Sequence, residues 1–93
     1  MINKNILKIR KELDKLDNSF LKLIKRRTIL VDKVIINKKF KKDIIDKKRI
    51  KIILKNINKK SKKNKIDPLI TKKIWETMIK AYISYEFRNF NKK

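Results

Sequence analysis

Apolar residues recur at Ile6, Ile9, Leu13, Leu16, Phe20, Leu23, Leu30 and Val34, in steps of three and four that lay one stripe along a helix. The step missing between Leu23 and Leu30 is filled by Arg27. No Pro or Gly interrupts the stretch, so the pattern predicts one helix from about residue 4 to about residue 39, about 53 Å long at the α-helical rise. A compact chain of 93 residues has a radius of gyration of only about 12 Å. Such a helix reaches far beyond its own domain unless another chain covers its stripe, which predicts an obligate homodimer.

A polar break follows at Lys38 to Lys42, and Asp46 stands where an N-cap belongs, its carboxylate able to accept from the orphan amides of a second helix. Ile50, Ile53, Leu54 and Ile57 supply the inner face of that short helix. Lys59 to Lys65 contains only Lys, Ser and Asn and reads as an exposed connector. Asp67 followed by Pro68 is a start signal for a third helix, a capping carboxylate and then a residue whose missing N–H costs nothing at the first helical position. Ile70, Ile74, Met78, Ile79, Tyr82 and Glu86 follow at helical spacing. The fold class is all-α, one domain over residues 1–93 with three helices in the order long, short, medium.

Composition narrows the chemistry. The chain has no His, Cys or Gly, which removes His-based triads, thiol nucleophiles, zinc and haem ligand sets, disulfides and glycine-rich phosphate loops. No metal site is expected. The longest strictly apolar runs are three residues, too short to span a bilayer, and the first 13 residues lack the continuous apolar stretch of a secretory signal. A soluble, cytoplasmic protein is expected.

The formal net charge of +21 raises the question of nucleic acid. Lys, Ile and Asn together make up 52 of the 93 residues, the composition of an AT-rich genome, and charge runs are usually solvated surface. Nucleic acid is therefore the lesser expectation. Five of the 30 basic residues are Arg: Arg10, Arg26, Arg27, Arg49 and Arg88. A planar guanidinium grips a carboxylate with two parallel hydrogen bonds where an ammonium is a point charge. Arginines kept in a lysine-saturated chain point to carboxylate recognition.

Three polar groups occupy stripe positions. Arg27 falls on the seam of the first helix, Lys38 lies one turn beyond Val34, and Glu86 continues the Tyr82 face of the third. Unpaired buried charge is costly, so such groups pair with one another or with a ligand. Singly, each has a plain reading: an inter-helix ion pair for Arg27, a snorkelling side chain for Lys38, a neighbouring lysine for Glu86, an i,i+4 partner in Asp14 for Arg10. Together, arginines, a lysine and a carboxyl converging among helices describe a pocket for a small dianion.

The chain resembles the all-helical, AroQ-type chorismate mutases over nearly its whole length. The residues that carry the resemblance are Leu7-Lys8-Ile9-Arg10 with Leu16-Asp17, Arg26-Arg27 followed by Lys38, Asp46-Lys47-Lys48-Arg49, Ile66-Asp67-Pro68, and Tyr82 to Glu86. Their order and spacing are specific jointly, not singly. The resemblance implies an intertwined dimer with two equivalent sites, in which Arg10 from the partner chain and Arg27 grip the substrate carboxylates. It aligns Arg49 and Asp46 with binding residues at the start of the second helix. Lys38 matches the lysine on the ether oxygen of the breaking C–O bond, and Glu86 the Gln or Glu across from it. The implied reaction, chorismate to prephenate in aromatic amino acid biosynthesis, is pericyclic and needs no cofactor, acid, base or nucleophile. An ionised Glu86 would repel the charge developing on that oxygen, so Glu86 is expected to act protonated and activity to fall as pH rises.

Two positions depart from the mutase pattern. Ile50 stands where many mutases carry a Glu that accepts from the substrate hydroxyl, and Tyr82 where the residue is often small and polar. Both, with the short loop from Lys38 to Arg49 and the tail Tyr85-Glu86-Phe87-Arg88-Asn89-Phe90, are similar to the isochorismate-pyruvate lyases, which share the fold and release salicylate and pyruvate. Mutase, the commoner activity of the family, is the first expectation and lyase the second. A member that binds its metabolite without turnover and a basic helical nucleic-acid-binding dimer complete the alternatives.

Overall fold

The computed structural model describes residues 3–90. Three α-helices and one 3-10 turn account for its regular structure, with no strand among the described residues: α1 (Lys4–Asn37), the turn Lys41–Ile44, α2 (Lys47–Lys63) and α3 (Pro68–Arg88). The chain is all-α in the expected order of lengths. It divides into two compact units, with the boundary between Lys33 and Val34 inside α1.

The first unit is helical throughout from Lys4. Its N-terminus is capped by Asn3, whose Oδ1 accepts from the Ile6 amide at 2.9 Å. Ile6, Ile9, Leu13, Leu16, Phe20, Leu23 and Leu30 are all exposed, so the predicted stripe exists as a continuous apolar face that this unit leaves uncovered. No Arg10–Asp14 ion pair forms among the described residues.

The second unit holds the buried residues Ile35, Ile44, Ser61 and Glu86. Ile35, one position after the expected Val34, is the residue that α1 turns inward here, and Val34 is exposed. Asp46 caps α2 as expected, accepting from the Arg49 amide at 3.0 Å, and Ile50, Ile53, Leu54 and Ile57 form the half-buried face of that helix. α3 starts at Pro68, capped by Asp67, which accepts from the Leu69 amide at 2.9 Å. It packs on α2 and on the 3-10 turn.

One expectation is corrected. Lys59 to Lys63 is not a connector but the end of α2: lysine permits helix there, and the contact of Ser61 with Thr71 on α3 fixes it. Ser61 is buried because its small side chain lets α3 approach: its Oγ donates to the Ile57 carbonyl at 2.6 Å and lies 2.7 Å from Thr71 Oγ1. The helix stops at a Schellman motif, with the Ile66 amide on the Ser61 carbonyl at 2.8 Å and the Lys65 amide on the Lys62 carbonyl at 3.2 Å. Lys65 takes the left-handed position at φ 58°, where glycine is usual and this chain has none. Thr71, Trp75, Met78, Ile79, Tyr82 and Glu86 are among the covered positions of α3, while Ile70 and Ile74 are exposed, so α3 carries a second apolar face.

Candidate active site

The site in the second unit begins where α1 ends. Lys38 follows the last helical residue of α1, so its side chain is free of the helix surface and reaches across to α3. Its Nζ donates to Glu86 Oε1 at 3.1 Å and to the Ile44 carbonyl at 3.4 Å. The Lys38 and Glu86 side chains are 20% and 11% exposed, so the pair is largely withdrawn from water and its attraction is little screened. Two of the three polar groups that the sequence sets on stripe positions, Lys38 and Glu86, are therefore partners. Glu86 sits one turn after Tyr82 on the covered face of α3, and Ile44 is held by burial in the 3-10 turn, which fixes the carbonyl that orients Lys38.

Beside this pair opens a shallow cleft of about 600 Å³ lined by Lys38, Lys42, Asp43, Ile45, Asp46, Lys47 and Lys48. Four ammonium groups against two carboxylates give it a positive balance. It lies at the N-terminus of α2, whose first amides and dipole also favour an anion. Asp46 both lines this cleft and caps the helix. The cleft thus has the charge that favours an anion. Lys42, whose Nζ lies 5.4 Å from the Phe40 ring centroid, and Asp43 were not singled out by the sequence. Their signal was present only as the polar break after the first helix. Among the described residues, no group of three or more carboxylate, imidazole or thiol side chains could hold a metal ion.

The remaining expected residues fall as follows. Arg49 is exposed in the first turn of α2, and Ile50 is half-buried next to it. Tyr82 is half-buried and meets Tyr85 edge to face, with ring centroids 6.2 Å apart. Arg10 and Arg27 belong to the first unit and are exposed on α1. Seventeen residues of helix separate them, about 26 Å along the axis. Within one chain they cannot hold the same small molecule.

The family model for chorismate mutase type II matches residues 9–87. No curated protein and no solved structure matches the chain. No helix among the described residues is long and apolar enough to cross a membrane.

Proposed function

Because the chain belongs to the chorismate mutase type II family, we propose that it rearranges chorismate to prephenate at a site organised by Lys38 and Glu86. Family membership carries chorismate mutase-type activity and a chorismate-like substrate.

The rearrangement breaks a C–O bond while a C–C bond forms, with no proton or electron leaving the substrate. The protein has two tasks: to hold the folded conformer, and to stabilise negative charge as it develops on the ether oxygen. Lys38 suits the second. An ammonium has three donors, and two are directed at fixed acceptors, Glu86 Oε1 and the Ile44 carbonyl. The third is available to the ether oxygen from a group already oriented and largely out of water, which is where a fixed donor contributes most. Glu86, accepting through Oε1, holds the ammonium in that orientation. This pair is the observation that carries the proposal.

Holding the conformer falls to the guanidinium groups. Arg27 takes one substrate carboxylate and Arg10 of a second chain completes the clamp, since the helix separation forbids both from coming from one chain. Arg49 and the start of α2, fixed by the Asp46 cap, add positive charge on the remaining side. A second chain also answers the exposure of the α1 stripe and of Leu69, Ile70 and Ile74 on α3. Burying a Leu or Ile is worth about 1.5–3 kcal/mol, and the single chain leaves most of that unrealised. We therefore read the protein as an intertwined homodimer in the cytoplasm, with residues 1–93 forming one catalytic domain.

Ile50 favours a second reading. Half-buried at the start of α2, it offers no acceptor to a substrate hydroxyl. Isochorismate-pyruvate lyase activity fits that feature on the same fold. Incubation with chorismate and with isochorismate, with products identified by NMR, decides between them. Prephenate from chorismate supports the mutase, and faster salicylate and pyruvate from isochorismate replaces it with the lyase. No change in either substrate overturns both.

A further inference from the structure

The last turn of α2 places Lys59 and Lys62 on a helix, and this changes what the lysines of the segment do together. Lys48, Lys51, Lys55, Lys59 and Lys62 follow one another in steps of three and four, so they form one line along the exposed side of α2. The line is about 21 Å long at the helical rise. Between Asp46 and Asp67 the chain has ten basic residues and no acidic one, whereas all nine of its acidic residues lie outside that interval. Among the described residues no carboxylate pairs with any of the five ammonium groups. The opposite side of α2, with Ile50, Ile53, Leu54 and Ile57, is turned to the interior of the unit.

We propose that this lysine line binds the phosphate backbone of double-stranded nucleic acid without regard to sequence. Lys48 also lines the cleft beside Lys38, but Lys51, Lys55, Lys59 and Lys62 lie outside it, and the inference does not depend on the reaction assigned there. Like charges at i,i+3 and i,i+4 repel along the helix, and a linear polyanion relieves that repulsion while releasing its own counterions. A duplex presents phosphates every 3.4 Å along each strand, so the line spans about six base pairs. Protein partners are less suited, because the cores of protein interfaces are depleted in Lys and enriched in aromatic residues and Arg. A lipid surface needs an apolar face to insert, and that of α2 is already packed inward. α2 has no aromatic residue on which an unpaired base could stack, which favours backbone contact.

The test is fluorescence anisotropy of a labelled duplex of about 20 base pairs and arbitrary sequence, titrated with the whole protein at several salt concentrations. Five contacts predict a slope of log affinity on log salt of about −4.5 and a loss of about 500-fold between 50 and 200 mM salt. Replacing Lys51, Lys55, Lys59 and Lys62 together by Gln should reduce the slope by about 3–4. The same four positions as Arg should keep it. Replacing Lys11, Lys15, Lys22 and Lys25 of α1 by Gln removes equal charge elsewhere and should change the slope by less than about 1. Circular dichroism confirms that each variant stays helical. Absence of binding at 50 mM salt overturns the proposal, as does an α1 variant that loses as much as the α2 variant, which would assign binding to diffuse net charge. Displacement of the duplex by polyglutamate at equal charge concentration would assign the line to acidic protein segments instead, and also overturns it.

Discussion

Lys38 Nζ lies 3.1 Å from Glu86 Oε1, joining the end of the first helix to the last turn of the third across 48 residues of sequence. Each group justifies the other's burial. Removing one leaves a largely desolvated charge without its partner, so Glu86→Ala should destabilise the fold by about 1–3 kcal/mol, less than for a fully buried pair because both side chains keep some contact with water. Chemical denaturation measures this. A loss under about 0.3 kcal/mol would mean the pair contributes nothing to the fold.

The same contact sets the orientation of Lys38. Glu86→Gln keeps an oxygen that accepts from the Lys38 ammonium, whereas Glu86→Ala leaves that ammonium with the Ile44 carbonyl alone. Turnover should therefore survive Glu86→Gln and fall at least about tenfold in kcat with Glu86→Ala. An alanine variant that turns over at the parent rate removes Glu86 from the mechanism.

The clamp is tested by mixing inactive variants. Arg10→Ala and Arg27→Ala should each lose at least about a hundredfold in kcat/KM while remaining helical. If each site draws Arg27 from one chain and Arg10 from the other, mixed dimers of the two variants hold one intact site. Unfolding and refolding an equimolar mixture should then restore about a quarter of the parent activity. No recovery would place both arginines outside a shared site.

Ser61 offers a test of the packing. Its hydroxyl is buried between the Ile57 carbonyl and Thr71 Oγ1. Ser61→Ala should cost about 1 kcal/mol, because Thr71 keeps its bond to the Pro68 carbonyl. Ser61→Leu should cost about 1–3 kcal/mol or more by forcing α2 from α3. A tolerated Leu would mean the helices are not in close contact there.

Lys65 is strained and correctable. At φ 58° it carries a Cβ where glycine carries none. Relief of that clash outweighs the greater freedom of glycine in the unfolded chain, so Lys65→Gly should stabilise the protein by about 0.5–1 kcal/mol. A lowered Tm would contradict the assigned left-handed conformation.

What the sequence revealed and what it hid follow from the range of the forces involved. Asp46 and Asp67 were legible as caps because a cap is decided within four residues. The α1 stripe was legible because no turn signal interrupts it. Lys59 to Lys63 was misread because its composition suits an exposed connector and an exposed helix equally, and what fixes it as helix is the contact of Ser61 with α3 ten residues on. Ile70 and Ile74 have helical spacing with Met78, but spacing does not say which of two apolar faces its own chain covers. Lys38 and Glu86 were marked as charges on apolar positions. Their mutual contact, and the Ile44 carbonyl that orients Lys38, depend on tertiary packing that no local pattern encodes.

The central claim is that Lys38 is the fixed cation on which the rearrangement depends. The most direct measurement is the rate of chorismate loss for the protein and for Lys38→Ala, side by side, with helicity and oligomeric state checked for both. The account predicts that the parent forms prephenate and that the variant, still helical and of the same assembly state, is slower by at least about 10²–10³ in kcat. A variant that turns over chorismate within a few-fold of the parent would contradict it.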